Sequence, residues 1–305
     1  MKEINRVNSF SGESFLERYV QPGSPTNWVL NADVSRFFIV PLEAMSQRMT
    51  LPIPPTRITN HLMLFLEEGQ ALMQVGSQAY QIRPHQCLFV PAGQVFSFDQ
   101  VEPNRGYLCN FHNDFIIDRF ARPDFLNELE FLQVWGNPHV RVDGSTSQFV
   151  THLLSRLLHH YTADGLTQPD RIQAGLITLL CEIKQAHQSL LTSPPTQALL
   201  LTNQFIDRLF TYLRTYHLVS DYATLLSISP NHLNKVVKAT TGKSPSQWID
   251  EALVLEAKVL LHQTQLPVSE IAALVGIFDP SYFSRLFKKH AGVTPLAFRS
   301  MIETS

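Results

Sequence analysis

Cysteine is scarce: Cys87, Cys109 and Cys181 stand far apart among 305 residues, in odd number and in no CxxC pair. That spacing excludes a disulfide framework and a thiolate zinc knot, and it fits a reducing cytoplasm. Long apolar runs are missing too; none reaches the roughly 18 to 20 residues of a membrane-spanning helix, and no membrane partner is expected. The opening MKEINRVNSFSGESF has no charged stretch followed by an apolar one, so no secretory signal is expected. Absent as well are GxSxG, GxxxxGK[ST] and GxGxxG, which leaves no serine-hydrolase elbow, phosphate loop or dinucleotide fingerprint. No strong charge of either sign appears: 24 Lys plus Arg face 26 Asp plus Glu, for a net −2. What remains is ordinary for a globular chain, 44% hydrophobic and 16% charged, long enough for two domains with separate cores.

The near-neutral total conceals an asymmetry. From Asn203 onward ten basic residues stand against eight acidic ones, whereas the preceding 202 residues carry fourteen against eighteen. An excess this small does not identify a nucleic-acid partner by itself, so the placement of the charges decides.

Residues 28–112 read as strands. HLMLFLEEGQALMQVGSQAYQIRPHQCLFVPAGQVFSFDQV consists of short apolar or alternating runs broken by EEG, GS, RPHQ and PAG. Such spacing predicts a small antiparallel barrel or sandwich. TSQFVTHLLSRLLHHYT (146–162) and PDRIQAGLITLLCEIKQAHQSL (169–190) carry apolar residues at helical spacing. The paired prolines of TSPPTQ (192–197) cannot continue a helix and mark a linker, beyond which the pattern is helical throughout. The expected organisation is α+β: a domain over 1–191 with accessory helices at 146–190, a linker at 192–202, and an all-α domain over 203–305.

Within the last region an internal repeat appears. ATLLSISPNHLNKVVKATTGKSP (223–245) matches AALVGIFDPSYFSRLFKKHAGVTP (272–295), with Pro230, Gly242 and Pro245 returning as Pro280, Gly292 and Pro295. The offset is fifty there and forty-nine upstream of the turn, because Phe278 is one extra residue. Each copy reads as a short helix, a tight turn and a second helix opening after Ser229-Pro230 or Asp279-Pro280, a capping residue followed by a proline at the first helical position. Phe283, Leu286 and Phe287 share one face of the later helix, as Leu233, Val236 and Val237 do in the earlier one. The opposite faces carry Asn231, Asn234, Lys235 and Lys238, then Ser281, Ser284, Arg285, Lys288 and Lys289. A helix-turn-helix sets such a second helix in the major groove, where Arg pairs with guanine and Asn with adenine while Lys, Ser and Tyr hold phosphates. One amphipathic helix with a charged outer face is usually just solvated; here turn, caps, basic face and apolar face all occur twice in register. His232 has no second His, Cys or carboxylate at i+3 or i+4, which argues against a metal there.

EIAALVGIFDPSYFSRLFKKHAGVTPLAFR resembles the C-terminal signature of the AraC/XylS family of bacterial transcriptional regulators, and YATLLSISPNHLNKVVKATTGKSPSQWI resembles that family's first motif. The resemblance covers about a hundred residues. It implies two helix-turn-helix units, here about 221–242 and 268–292, joined by a helix at about 246–264, each reading a major-groove segment of an operator. Its recognition positions fall on Asn231, His232, Asn234 and Lys235, then on Ser281, Ser284 and Arg285; Tyr282 reads as a phosphate-side contact. One departure stands out: where the family's linker helix often has an arginine, this chain runs DEALVLEAK, so a backbone contact is missing. A weaker resemblance, on YQIRPHQCLFVPAGQVFSF (80–98), makes the first domain similar to a cupin-type barrel, a small jelly roll.

Some cupin-type barrels are metal-dependent oxygenases, so a cupin-like enzyme fused to a DNA-binding domain is the alternative, and a barrel that only dimerises is a third. Two motifs argue against the enzyme. PxGxxH runs here from Pro91 to Phe96 with no histidine, and His61 is followed by Leu62 and Met63 instead of completing HxH. His85 and His112 are isolated, and no metal or cofactor is expected. Phe37, Phe38, Phe65, Phe89, Phe96, Phe98, Tyr107 and Phe111 mostly fill the barrel, as a barrel this small requires. Phe65 and Phe96 are candidates to line an apolar effector pocket, with Arg57 and His61 placed to meet an acidic group. The resemblance implies a cytoplasmic, nucleoid-associated regulator, an activator engaging RNA polymerase and answering a small organic effector. The apolar stripe Ile172, Leu176, Leu179, Leu180 and Ile183 either covers the barrel or pairs two subunits as a homodimer.

Overall fold

A computed structural model of the chain describes residues 10–21, 34–76, 78–98, 104–117, 120–121, 125–133, 136–142, 144–189 and 197–303. Two compact units emerge, one within residues 9–192 and one within residues 193–305. No described helix is long and apolar enough to cross a membrane.

The first unit opens with α1 (Gly12–Tyr19), whose N-terminus Ser11 caps by accepting from Ser14 N–H. There follow β1 (Phe37–Pro41), α2 (Leu42–Ser46), β2 (Ile53–Arg57), β3 (His61–Glu68), β4 (Ala71–Val75), β5 (Gln78–Ile82), β6 (Gln86–Val90), β7 (Val95–Phe98) and β8 (Arg105–Phe111). Then come α3 (Asn113–Ile116), β9 (His139–Arg141), α4 (Gly144–Asp164) and α5 (Pro169–Ser189). Strand pairing is antiparallel in two sheets, β1-β8-β3-β6-β9 and β2-β7-β4-β5. Leaving β9 aside, that alternation of strands between the sheets is the double Greek key of a jelly roll. Of the barrel or sandwich expected from the turn spacing, the chain forms the two-layer sandwich: β1, β9, β2 and β5 remain sheet edges. The β2–β7 register slips between Ile53 and Thr56, where Pro54 and Pro55 have no N–H to give the ladder. Strand structure begins at Phe37; residues 28–33 of the expected strand region lie outside the described residues.

All five residues of β6 are buried, and so are the first six of β3, because both faces of this sheet are covered. On one face lie Phe37, stacked on Phe115 and edge-on to Tyr161 of α4, and Phe89, whose ring centroid is 4.4 Å from that of Phe131. The stripe Ile172, Leu176, Leu179, Leu180 and Ile183 on α5 is fully buried within this unit. It covers the sandwich, and the pairing surface that was the other expectation for it is occupied inside one chain.

The second unit is helical: α6 (Gln197–Tyr212), α7 (Val219–Leu225), α8 (Pro230–Thr241), α9 (Pro245–Gln263), α10 (Val268–Leu274), α11 (Pro280–Ala291) and α12 (Pro295–Glu303). Residues 192–196 of the expected linker lie outside the described residues, and 197–202 differ from it, since α6 already runs through them and buries Thr202. The cause is the apolar periodicity of Phe205, Ile206 and Leu209, which extends back one turn. In α9, Ser244 and Gln247 form a capping box: Ser244 Oγ accepts from Gln247 N–H, and Gln247 Oε1 accepts from Ser244 N–H at 2.8 Å. Ile249, Ala252, Leu253, Val254, Ala257, Val259, Leu260 and Leu261 are all buried, so α9 is apolar almost all round. It packs against α6 and α8 on one side of the repeat and α10, α11 and α12 on the other.

Candidate nucleic-acid interface

Both copies of the repeat fold alike. The first helices, α7 and α10, bury Tyr222-Ala223 and Ile271-Ala272. Their turns close through equivalent bonds, Ile228 N–H to Ala223 O at 3.0 Å and Ile277 N–H to Ala272 O at 2.8 Å. Each turn needs one left-handed residue: Ser227 (φ 55°) in the first copy and Gly276 (φ 87°) in the second. The second helices start under caps, with Ser229 Oγ accepting from His232 N–H at 3.2 Å and Asp279 Oδ1 accepting from Ser281 N–H at 2.8 Å. Both end at a left-handed glycine, Gly242 or Gly292.

Inward, α8 buries Leu233 and Val237, with Val236 half-buried, and α11 buries Phe283, Leu286 and Phe287. Outward, Asn231, His232, Lys235 and Lys238 are exposed on α8, as are Ser281, Tyr282, Arg285, Lys288 and Lys289 on α11; Asn234 and Ser284 are half-buried. Two of these positions are partly engaged. Asn234 Nδ2 donates back to Pro230 O at 3.1 Å, and Lys289 Nζ leans toward the Asp250 carboxylate on α9 at 3.9 Å. Lys235, Lys238, Arg285 and Lys288, by contrast, are held in none of the ion pairs among the described residues. Four unneutralised cations therefore stand on two matched helical faces, and their fields point outward.

One exposed residue was visible in the sequence only as an irregularity in the repeat. Phe278, the extra residue, is 86% exposed immediately before the Asp279 cap of α11. So large an apolar side chain in water, at the N-terminus of α11, has the chemistry for an apolar contact such as a thymine methyl offers.

The effector candidates of the first unit separate. Phe96 is buried between Phe15 and Phe98, ring centroids 5.8 and 6.3 Å away, and lines a cavity inside the sandwich. Phe65 does not line it: Leu62 and Leu64 face the cavity, and alternation along β3 turns Phe65 to the helix-covered side. Arg57, on β2, is also outside the cavity lining. His61 is a satisfied core residue. Its Nδ1 accepts from Ala92 N–H at 3.0 Å, which fixes the proton on Nε2, and Nε2 donates to Asn113 Oδ1 at 2.6 Å. Burial, opposed by that Asn113 bond, holds its pKa down to about 4, so it carries no charge with which to meet an acid. His85 Nδ1 pairs with the Ser147 hydroxyl and His112 caps α3. Among the described residues no three His, Cys, Asp or Glu side chains gather where a metal could sit.

A family model described as a helix-turn-helix domain matches residues 222–301. The arabinose operon regulatory protein of Escherichia coli (strain K12) is 33% identical over 85 residues, 28% of this chain and 29% of that protein. The bifunctional transcriptional activator/DNA repair enzyme AdaA of Bacillus subtilis (strain 168) is 34% identical over 108 residues, 35% of this chain and 50% of that one. The HTH-type transcriptional activator RhaR of Escherichia coli O139:H28 is 26% identical over 167 residues, 54% of this chain and 59% of its own length. The chain thus covers less than two thirds of the length of each of these relatives. Among solved structures, fatty-acid-bound ToxT from Vibrio cholerae matches with 14% identity and a TM-score of 0.45, covering 88% of this chain and 95% of that one. The double helix-turn-helix with two capped, basic second helices is a DNA-binding architecture. The C-terminal unit contains a helix-turn-helix domain, similar over this stretch to the arabinose operon regulatory protein and RhaR.

Proposed function

We propose that the chain is a sequence-specific transcriptional regulator, acting as an activator through RNA polymerase in response to a small organic molecule held by its jelly roll. The observation that carries this is the pair of matched faces on α8 and α11, each capped and basic, on which Lys235, Lys238, Arg285 and Lys288 stand in no ion pair among the described residues. The arabinose operon regulatory protein, AdaA and RhaR are transcriptional regulators by name, which supports the same direction. In this account Arg285 and Asn231 read base edges, Ser281 and Ser284 support them, and Lys235, Lys238 and Lys288 meet phosphates. Lys289 contributes less, since Asp250 draws it toward α9. No reaction is assigned to the chain. The division into a sensing domain over 1–191 and a DNA-binding domain that opens with α6 is part of the same proposal.

The test starts from a duplex selected by the protein out of a random pool. Arg285→Ala is expected to weaken binding to that duplex by ~1–3 kcal/mol and to relax selection at one base pair. Lys288→Ala is expected to weaken selected and random duplexes alike and to reduce the salt slope by about one. An Arg285→Ala protein with unchanged affinity and selectivity removes Arg285 from the readers; a protein that enriches no duplex at all defeats the proposal.

A further inference from the structure

The entry to α11 holds one residue that the fold does not use. In the first copy of the repeat Ile228 directly precedes the Ser229 cap, and its N–H closes the turn on Ala223 O. In the second copy the buried Ile277 makes the equivalent bond to Ala272 O, yet Phe278 is inserted before the Asp279 cap. An apolar residue just before a cap often packs on the fourth helical residue, as a hydrophobic staple. Here that residue is Phe283, which is buried with its ring against Phe287, centroids 5.9 Å apart. Phe278 forms no such staple: 86% of it is in water, more than any other large apolar residue among those described.

Single exposed apolar side chains are ordinary on protein surfaces; this one differs in where it stands. In a helix-turn-helix the N-terminal residues of the second helix are those that meet base edges. Phe278 stands at that end of α11, with Ser281 and Tyr282 exposed just after it and Arg285 and Lys288 exposed further along. A phosphate gains nothing from a phenyl ring, and the carboxylate of Asp279, next in the chain, would repel one. Among the groups that the four base pairs display in the major groove, the 5-methyl of thymine is the apolar one.

We infer that Phe278 is a specificity residue whose ring contacts the 5-methyl group of one thymine in the word read by α11. This rests on the DNA-binding reading and deepens it, since the residues named there read base edges by hydrogen bonds or hold phosphates. The α8 word carries no such requirement from this position, because the first copy runs from Ile228 straight to Ser229. Withdrawing one methyl-sized group from water against the ring is worth about fourfold in affinity.

The experiment uses the full chain and the duplex it selects from a random pool, with binding followed by fluorescence anisotropy. Each thymine of that duplex is replaced singly by deoxyuridine, which removes the 5-methyl and leaves the base-pair hydrogen bonds intact. One replacement is expected to weaken binding by the unaltered protein about fourfold. Phe278→Ala is expected to weaken binding to the unmodified duplex by a similar factor and to be indifferent to that same replacement. Such non-additivity joins the ring to the methyl. Phe278→Leu, which keeps an apolar side chain, is expected to retain part of the methyl dependence. A duplex in which no thymine responds overturns the inference. So does a series in which every responding thymine still responds fully in Phe278→Ala, which would give the methyl to Tyr282 or another side chain. Unchanged duplex affinity in Phe278→Ala overturns it as well, and would leave the ring for a protein surface. Should Phe278→Ala not fold, Phe278→Ser makes the same comparison. A protein that enriches no duplex defeats DNA binding itself; one that enriches a duplex insensitive to thymine methyls defeats only the role of Phe278.

Discussion

His61 shows how a single side chain ties a strand, a turn and a helix together. Its ring sits over Phe111, ring centroids 5.3 Å apart, while its two nitrogens engage Ala92 N–H and Asn113 Oδ1. A second proton has nowhere to go, since Nδ1 already faces a donor. In the folded unit the imidazole protonates only near pH 4, against about 6.5 when exposed in the unfolded chain. The unfolded state therefore binds more protons between these values. The contribution of neutral His61 is complete above pH 6.5 and is lost as pH falls toward 4, at up to about 1.4 kcal/mol per pH unit. A melting-temperature profile over pH 4–7 is expected to fall on the acid side, and His61→Gln is expected to flatten it. No local pattern points to this role, because the partners lie 31 and 52 residues away in the chain. Phe96 was different: it replaces a histidine inside a recognisable local pattern, so its apolar surroundings were legible. Phe65 was misassigned for lack of a register, which decides the face of every residue on a strand.

At the scale of elements, the helix-turn-helix copies were the most readable part of the molecule, since caps, prolines and apolar faces are all local signals. What the repeat did not reveal is its unequal turns. Ser227 holds a left-handed conformation that costs a side-chain-bearing residue ~1–2 kcal/mol, whereas the second copy uses Gly276. Ser227→Gly is expected to stabilise the second unit by about 1 kcal/mol, seen as a higher melting temperature with unchanged DNA affinity. The reverse exchange, Gly276→Ser, is expected to cost more than the backbone term alone, because a Cβ there would overlap the His217 ring. The jelly roll was legible as short strands with turns. Its division into two sheets was not, because which strands pair is a long-range property that hairpin spacing leaves open.

For the whole molecule, the second unit has a core of its own. Phe205, Ile206 and Leu209 of α6, Tyr222, Leu233, Ile249 and Phe287 are all buried within it. A buried charge adds cohesion: Glu256, 2% exposed on α9, accepts from Arg214 Nε beyond α6 at 3.1 Å. A fragment of residues 193–305 is expected to unfold in a single cooperative transition and to bind the selected duplex with the selectivity of the full chain. Circular dichroism melting and binding titration check it; a soluble fragment without helical signal would place the boundary elsewhere. Arg214→Met within that fragment is expected to destabilise it by about 2 kcal/mol through loss of the charge-assisted hydrogen bonds to Glu256.

The burial of α9 on nearly every side has a bearing on the grammar of the operator. A helix gripped by five neighbours is a ruler, and its nineteen residues fix a length of about 28 Å, somewhat under one turn of duplex. On the proposed reading, the two words met by α8 and α11 then lie on the same side of the double helix at one permitted separation. Half a turn inserted between them, about five base pairs, rotates the second word out of reach, and a full turn restores the direction but not the distance. The protein would thus recognise spacing as strictly as it recognises bases.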